Sequence, residues 1–340
     1  MKDKINRQFR LRSRPTERIE ASNFDFVDST IPTPGPKEAL VRVLYLSLDP
    51  TNRVWMSDRE QYMPPVELGE VMRGGGIGVV VESNSSRYKA GDRVVGVTGW
   101  QDYCLADESA HAMRVLPPKL PVPLPTMLGA CGMTGLTAYF GLLDLGRPKA
   151  GETVVVSAAA GAVGSVAGQI AALKGCRTVG IAGGPEKCRH LLDEMGFDAA
   201  VDRKATDWRE QLIAATPDGV DINFENVGGE IMHAVMARMN LFSRMPLCGL
   251  ISGYNSSEPM LGDFSAILIK RISVRGFIVL DFAERYSEGT SQLVQWVSQG
   301  RIKHRETIVD GLEQASSAVN MLFDGENLGK LIIRVADAAD

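Results

Sequence analysis

The alternation of hydrophobic and polar positions changes period along this chain. Glu38–Leu48 (EALVRVLYLSL) alternates apolar and polar residues, as a half-buried strand does. Gly76–Glu82 and Arg93–Val97 are further short β-rich runs, separated by Gly, Ser, Asn and Asp. Gln8–Leu11 reads as a first strand with polar flanks, and a proline cluster at Pro117–Pro125 marks a boundary. Beyond it the period lengthens. Thr153–Ser157 predicts a buried strand. Ala162–Lys174 then places Val163, Val166, Ala167 and Ile170 at helical spacing, with Gly175 as C-cap. Arg177–Ala182 is the next strand, and Pro185–Met195 the next helix, with proline at its start. Further strands are expected at Ala199–Val201, Val220–Glu225, Arg244–Gly249 and Ile272–Val279. About six short strands alternating with helices predict a parallel sheet covered on both faces, the doubly wound dinucleotide fold. The tail, from about Ile302, ends in another β run at Gly329–Val335, expected to return to the first domain.

Composition narrows the partners. The chain has 340 residues and a formal net charge of -4. An acidic balance argues against nucleic acid, because phosphate backbones demand a basic face. The five cysteines are scattered, with no CxxC pair, so no disulfide framework is expected and a reducing compartment suits them. Met1–Pro15 is basic, but no apolar run follows it, unlike a secretory signal. No stretch approaches the roughly eighteen apolar residues of a membrane-spanning helix. A cytoplasmic protein without a membrane partner is the expectation.

The candidate chemistry lies where the period changes. Val154–Gly164 (VVVSAAAGAVG) is a strand feeding a tight turn that opens a helix. A helix N-terminus offers unpaired N–H groups and partial positive charge, which favour a pyrophosphate. Gly161 would let backbone approach the phosphates, and Gly164 would let the helix pack close to the strand. Ala159 occupies the first glycine slot, so the G-x-G-x-x-G fingerprint carries one substitution. A plain βα turn packed for steric reasons is the alternative. The second strand selects the cofactor. An NAD site presents a carboxylate at that strand's end to the ribose 2′-hydroxyl. Here the strand ends Ala182-Gly183-Gly184, Lys187 follows on the helix, and Arg203 ends the third strand. Two cations and no acid favour NADPH/NADP+. Glu186 stands in the first helical turn, where an acid suits the dipole.

Other chemistries lack their residues. The histidines are His111, His190, His233 and His304, none beside a cysteine at ligand spacing, so no metal is expected. Gly-x-Ser-x-Gly is missing. Without a Lewis acid, hydrogen bonds must polarise a carbonyl. That favours reduction of an activated double bond by cofactor hydride over alcohol oxidation.

Eleven segments carry a resemblance: Tyr45–Pro50 (YLSLDP), Met56-Ser57-Asp58, Tyr62–Gly69 (YMPPVELG), Gly99–Tyr103 (GWQDY), Gly132–Tyr139 (GMTGLTAY), Ala158–Gly164, Gly183–Lys187 (GGPEK), Phe224–Gly229 (FENVGG), Cys248–Asn255 (CGLISGYN), Arg275–Val279 (RGFIV) and Asn327–Lys330 (NLGK). In this order the chain resembles the zinc-independent medium-chain dehydrogenases/reductases. Within them it is similar to the group of prostaglandin reductases, alkenal double-bond reductases and bacterial curcumin reductases, the last branch most of all. The resemblance implies a GroES-like catalytic domain from residues 1–128, completed by a return segment 303–340, with a Rossmann domain at 129–302. It implies NADPH, reduction of the C=C bond of an α,β-unsaturated aldehyde or ketone, and a homodimer. It implies that Gly161, Ala162, Val163 and Gly164 cradle pyrophosphate and that Lys187 meets the 2′-phosphate; Ala160, Gly183 and Arg203 are counted with the cofactor site. Asn226, Cys248, Ile251, Tyr254, Phe277, Val279 and Asn327 would line the adenosine and nicotinamide halves, with Met133 and Thr137 near the nicotinamide. Tyr254 would hydrogen-bond the substrate carbonyl, and Tyr62 would reach the pocket from the first domain. Cys248 is expected to pack as a small apolar residue.

Three positions depart from the family pattern. Thr51 stands where many relatives have tyrosine, which alters the substrate side. Arg203 also replaces a tyrosine and would strengthen the 2′-phosphate site. Thr134 replaces a proline. A quinone reductase of the zeta-crystallin type and a non-catalytic NADPH-binding protein are the competing expectations.

Overall fold

In the computed structural model, residues 5–109, 112–256 and 262–337 are described. Chain contacts divide the protein into two compact units. One comprises Met1–Leu128, Glu306–Asn327 and Leu331–Asp340, the other Gly129–Arg305 and Leu328–Lys330.

The first unit is β-rich. Strands β1 (Ile5–Leu11) and β2 (Phe24–Thr30) form an antiparallel ribbon. A seven-stranded sheet contains β3 (Ala39–Ser47), β4 (Gly75–Ser83), β5 (Arg93–Val97), β6 (Tyr103–Ala106), β7 (Arg114–Val115), β14 (Glu306–Asp310) and β15 (Lys330–Arg334). The pattern at Glu38–Leu48 predicts a half-buried strand, but β3 is buried on both faces along most of its length. It lies inside the sheet, with β4 on one edge and β6 and β15 sharing the other. Of its polar positions only Arg42 and Tyr45 reach the surface in part. Leu312, Val319, Leu331 and Ile333 from the tail join Phe9, Leu46 and Trp100 in one apolar cluster.

The second unit carries the doubly wound sheet. Its strands are β8 (Thr153–Ser157), β9 (Arg177–Ala182), β10 (Ala199–Asp202), β11 (Val220–Phe224), β12 (Met239–Leu247) and β13 (Ser273–Gly276). They lie in the order β10-β9-β8-β11-β12-β13, all parallel. The order reverses between β8 and β11, the crevice where such sheets bind dinucleotides. Every residue of β8 is buried.

Three sequence expectations shift here. Pro185–Met195 is not one α-helix: an α-helical turn, Pro185–Arg189, passes into a π-helical turn, His190–Glu194. The strand expected at Arg244–Gly249 starts at Met239 and stops at Leu247. The run Ile272–Val279 yields only the four residues of β13, all exposed, because this strand ends the sheet and has one partner. Val279 instead opens a 3₁₀ segment, Val279–Arg285.

Candidate active site

The turn after β8 is built by close backbone approach. Ala158 adopts a left-handed conformation, φ +49°. The Ala159 N–H donates to the Ile181 carbonyl (3.0 Å), and that of Gly161 to the Ala158 carbonyl (3.0 Å). The helix Ala162–Leu173 follows directly, with no side chain capping its first turn. Its leading N–H groups therefore point out of the turn, where an anion can take them. The two glycines have different reasons. A Cβ on Gly164 would lie 2.5 Å from the Ala158 oxygen and 2.8 Å from the Ala159 Cα, so the helix could not seat. A Cβ on Gly161 would meet only the Ala158 oxygen, at 3.2 Å. Most of the room at Gly161 is thus left to a ligand. The Ala160 carbonyl accepts the Gly329 N–H at 2.9 Å, which ties the segment Leu328–Lys330 to the turn.

Alanine at 159 is matched on the neighbouring strand. Ala159 is fully buried, and position 180 opposite it is glycine. A Cβ there would stand 2.9 Å from the Ala159 methyl. The space that a turn glycine leaves empty is here made on β9 instead.

At the ends of β9 and β10 the cations gather. Side-chain atoms of Arg203 and Lys204 lie 3.3–3.5 Å from where a Gly183 Cβ would stand. Desolvation lowers the Lys187 pKa, and the charges of Lys204 and Arg203 lower it further against the opposing Glu186. Lys187 is half-buried, so three cations share one partly desolvated spot and repel one another. The Asp202 carboxylate shapes the spot from beneath: it accepts the N–H groups of Gly184 (2.7 Å) and Lys204 (2.9 Å). Sequence reasoning finds Gly183, Lys187 and Arg203. It misses Lys204, whose signal was its adjacency to Arg203, and Asp202, whose role is visible only in three dimensions.

The other half of the sheet carries a polar network. The Ser157 hydroxyl donates to Glu225 Oε1 (2.8 Å) and accepts the Asn226 N–H (2.7 Å). Asn226 Nδ2 donates to the Ser157 carbonyl at 2.7 Å, fixing its amide across the ends of β8 and β11. The Glu225 carbonyl accepts the N–H groups of Cys248 (2.9 Å) and Gly249 (3.2 Å). Tyr254 ends the 3₁₀ turn Ile251–Gly253, and its hydroxyl accepts the Leu250 N–H at 3.3 Å. That hydroxyl sits over Gly249, where a Cβ would be 3.2 Å from it and 3.4 Å from the Asn226 carbonyl. Asn226, Cys248, Ile251 and Tyr254 are therefore brought together. Burial and the nearby Glu225 carboxylate push the Cys248 thiol up to about 12, so it stays protonated and inert near neutral pH.

The remaining predicted positions lie on other elements. Met133, at the start of the helix Met133–Phe140, is 44% exposed, and Thr137 one turn later donates to its carbonyl at 2.8 Å. The Phe277 ring is buried, its centroid 6.4 Å from those of Phe224 and Phe282, and it fills the space over Gly141. That side chain packs in the core of the second unit. The Val279 carbonyl accepts the Tyr286 hydroxyl at 3.1 Å. Asn327 is buried in the first unit, directly before the segment that meets the turn.

Tyr62 belongs to the first unit and is 44% exposed. Its hydroxyl lies 2.5 Å from that of Thr51 and accepts the Trp55 indole N–H at 3.0 Å. Thr51 and Trp55 are the two ends of one short helix. Buried Arg53 anchors that helix by donating to the carbonyls of Pro15 (2.8 Å) and Glu17 (3.2 Å). The Thr51 hydroxyl thus tethers Tyr62. Among the described residues no group of three or more His, Cys, Asp or Glu could hold a metal ion. His111 lies outside them.

Comparison with known proteins gives the same order of parts. Residues 7–115 match the family described as N-terminal domain of oxidoreductase, and residues 162–298 the family described as zinc-binding dehydrogenase. The chain is 46% identical to the NADPH-dependent curcumin reductase of Escherichia coli, over 97% of each chain. It is 41% identical to prostaglandin reductase 1 of Rattus norvegicus, over 92% of this chain and 94% of that one. The crystal structure of CurA from Vibrio vulnificus in complex with NADPH superposes with a TM-score of 0.93 at 46% identity, over 97% of this chain and 99% of that one.

Proposed function

The chain belongs to the zinc-independent medium-chain dehydrogenases/reductases, and we propose that within that family it reduces the C=C bond of α,β-unsaturated aldehydes and ketones. It is an NADP-dependent oxidoreductase of the double-bond-reducing kind. The observation that carries the substrate class is the placement of the Tyr254 hydroxyl over Gly249, beside Asn226.

The residues present fit NADPH. Lys187, Arg203 and Lys204 would hold the 2′-phosphate, whose charge relieves their mutual repulsion. The open N–H groups after Gly161 would hold the pyrophosphate. Bound NADPH supplies the hydride. The chain's part is to steady the oxygen of the substrate. Hydride arriving at the β-carbon leaves an enolate, and the Tyr254 phenol donates a hydrogen bond to that oxyanion as charge develops. The α-carbon then takes a proton from water or a hydroxyl.

A substrate panel tests this. With an enone, an enal and a quinone as separate acceptors, NADPH oxidation is expected with the first two. Turnover of the quinone alone would replace the substrate class with that of the quinone reductases. Tight NADPH binding with no turnover of any acceptor would make the protein a non-catalytic binder. We further propose a homodimer in the cytoplasm. In support, β13 is an exposed end strand with one partner, and none of the five cysteines forms a disulfide. Sedimentation velocity giving a monomer would remove the dimer.

A further inference from the structure

We propose that Glu225 is a fixed negative charge behind the nicotinamide half of the cofactor site, where it favours the oxidised dinucleotide over the reduced one. Glu225 follows β11 directly and is fully buried. Its carboxylate receives four neutral donors: the Ser157 hydroxyl (2.8 Å), Asn223 Nδ2 (2.9 Å), and the N–H groups of Val227 (2.7 Å) and Gly228 (2.9 Å). All four of these contacts are donors, which favour a carboxylate over a carboxylic acid.

The position follows from the sheet. The cations that suit the 2′-phosphate stand at the ends of β9 and β10, and the pyrophosphate turn stands at the end of β8. A dinucleotide laid across that order brings its other half over β11 and β12. Glu225 is at the end of β11, beneath Asn226, and its own carbonyl holds the N–H groups of Cys248 and Gly249. The field of the carboxylate reaches this surface: it is one of the two causes that raise the Cys248 thiol. The reduced nicotinamide ring is neutral and the oxidised ring carries a positive charge. A buried carboxylate that cannot reorient stabilises that charge as it appears, and so assists hydride donation.

The test reads binding rather than turnover. Dissociation constants for NADP+ and NADPH are measured by fluorescence titration in the native protein, Glu225→Gln and Ser157→Ala. Glu225→Gln keeps the shape and removes the charge. Its NADP+ to NADPH ratio of dissociation constants is expected to rise on the order of tenfold, the effect of one unit charge across about 10 Å at an effective dielectric near 20. Ser157→Ala loosens the same network with the charge kept, so its ratio should stay within about twofold of native. If Glu225→Gln weakens both dinucleotides equally, Glu225 is only a brace and the proposal fails. Should that variant not fold, the native protein carries the test. An isostere of NADP+ with benzamide in place of nicotinamide is flat like the oxidised ring but uncharged. It should bind about tenfold more weakly than NADP+, and equal binding overturns the proposal.

Discussion

Replacing Lys187 by alanine separates the two dinucleotides. A charge-assisted hydrogen bond contributes about 1.5–3 kcal/mol, or roughly ten- to hundredfold in affinity. Arg203 and Lys204 remain over Gly183 and would hold part of the 2′-phosphate, so the loss for NADPH should fall at the lower end, about tenfold. NADH lacks that phosphate, and its affinity should change by less than about twofold. A second effect has the opposite sign. Lys187 titrates below its ordinary value because burial and its cationic neighbours disfavour its charge. Its protonated form therefore costs the apo-protein stability at neutral pH. That cost disappears as pH rises through the lowered folded value toward the unfolded one. Lys187→Ala should thus leave the apo-protein at least as stable at pH 7, even as it weakens NADPH. Isothermal titration with both dinucleotides, together with thermal melts of the apo-protein, reads both effects. Equal losses for NADH and NADPH would refute the 2′-phosphate assignment.

Tyr254→Phe removes the hydroxyl and keeps the ring, so kcat for an enone should fall about ten- to hundredfold while the NADPH dissociation constant stays within about twofold. Stopped-flow kinetics and titration read the two numbers, and an unchanged kcat would return Tyr254 to a packing role. The turn glycines should behave differently. Gly164→Ala drives a Cβ against backbone and should cost about 1–3 kcal/mol of stability as well as NADPH affinity. Gly161→Ala should melt within about 1 °C of native yet bind NADPH at least about tenfold more weakly; a matching fall in melting temperature would show that Gly161 serves the fold. Ala158→Gly relieves a left-handed alanine and should raise apo-protein stability by up to about 1 kcal/mol, checked by urea unfolding of the apo-protein.

What could be read from the chain was local. The strand–turn–helix unit at Thr153–Leu173 falls within a residue of its expected bounds, because β-branched residues, glycine and helical spacing are all local signals. The cation pair Lys187 and Arg203 was legible because each is tied to a strand end whose position the period sets. Glu225 was not, although it adjoins a residue expected at the cofactor. The carboxylate inside FENVGG reads only as the last residue of an expected strand, and the hydroxyl that points at it, Ser157, lies 68 residues earlier. Asp202 was hidden for the same reason: its Oδ1 accepts backbone N–H groups of two loops that only the fold brings together. The Thr51–Tyr62 contact joins residues eleven apart across a short helix and a polar loop that no periodicity constrains. Phe277 shows another side of this. A motif locates a residue without fixing where its ring goes, and Gly141 leaves a space that the ring fills.

The degenerate fingerprint makes the same point in physical terms. A glycine in the first slot of G-x-G-x-x-G is a statement about volume where the turn crosses the next strand. In this chain that volume is divided differently. Ala159 fills its side of the contact, Gly180 empties the other, and Ala158 takes the left-handed turn that glycine would adopt without strain. The motif therefore fails at one letter while the steric condition behind it is met across two strands. A search for three glycines in a row would undervalue the turn. A search for a βα turn whose facing strand compensates its missing glycine would find it, and the bare helix N-terminus after Gly161 would then mark where the phosphates belong.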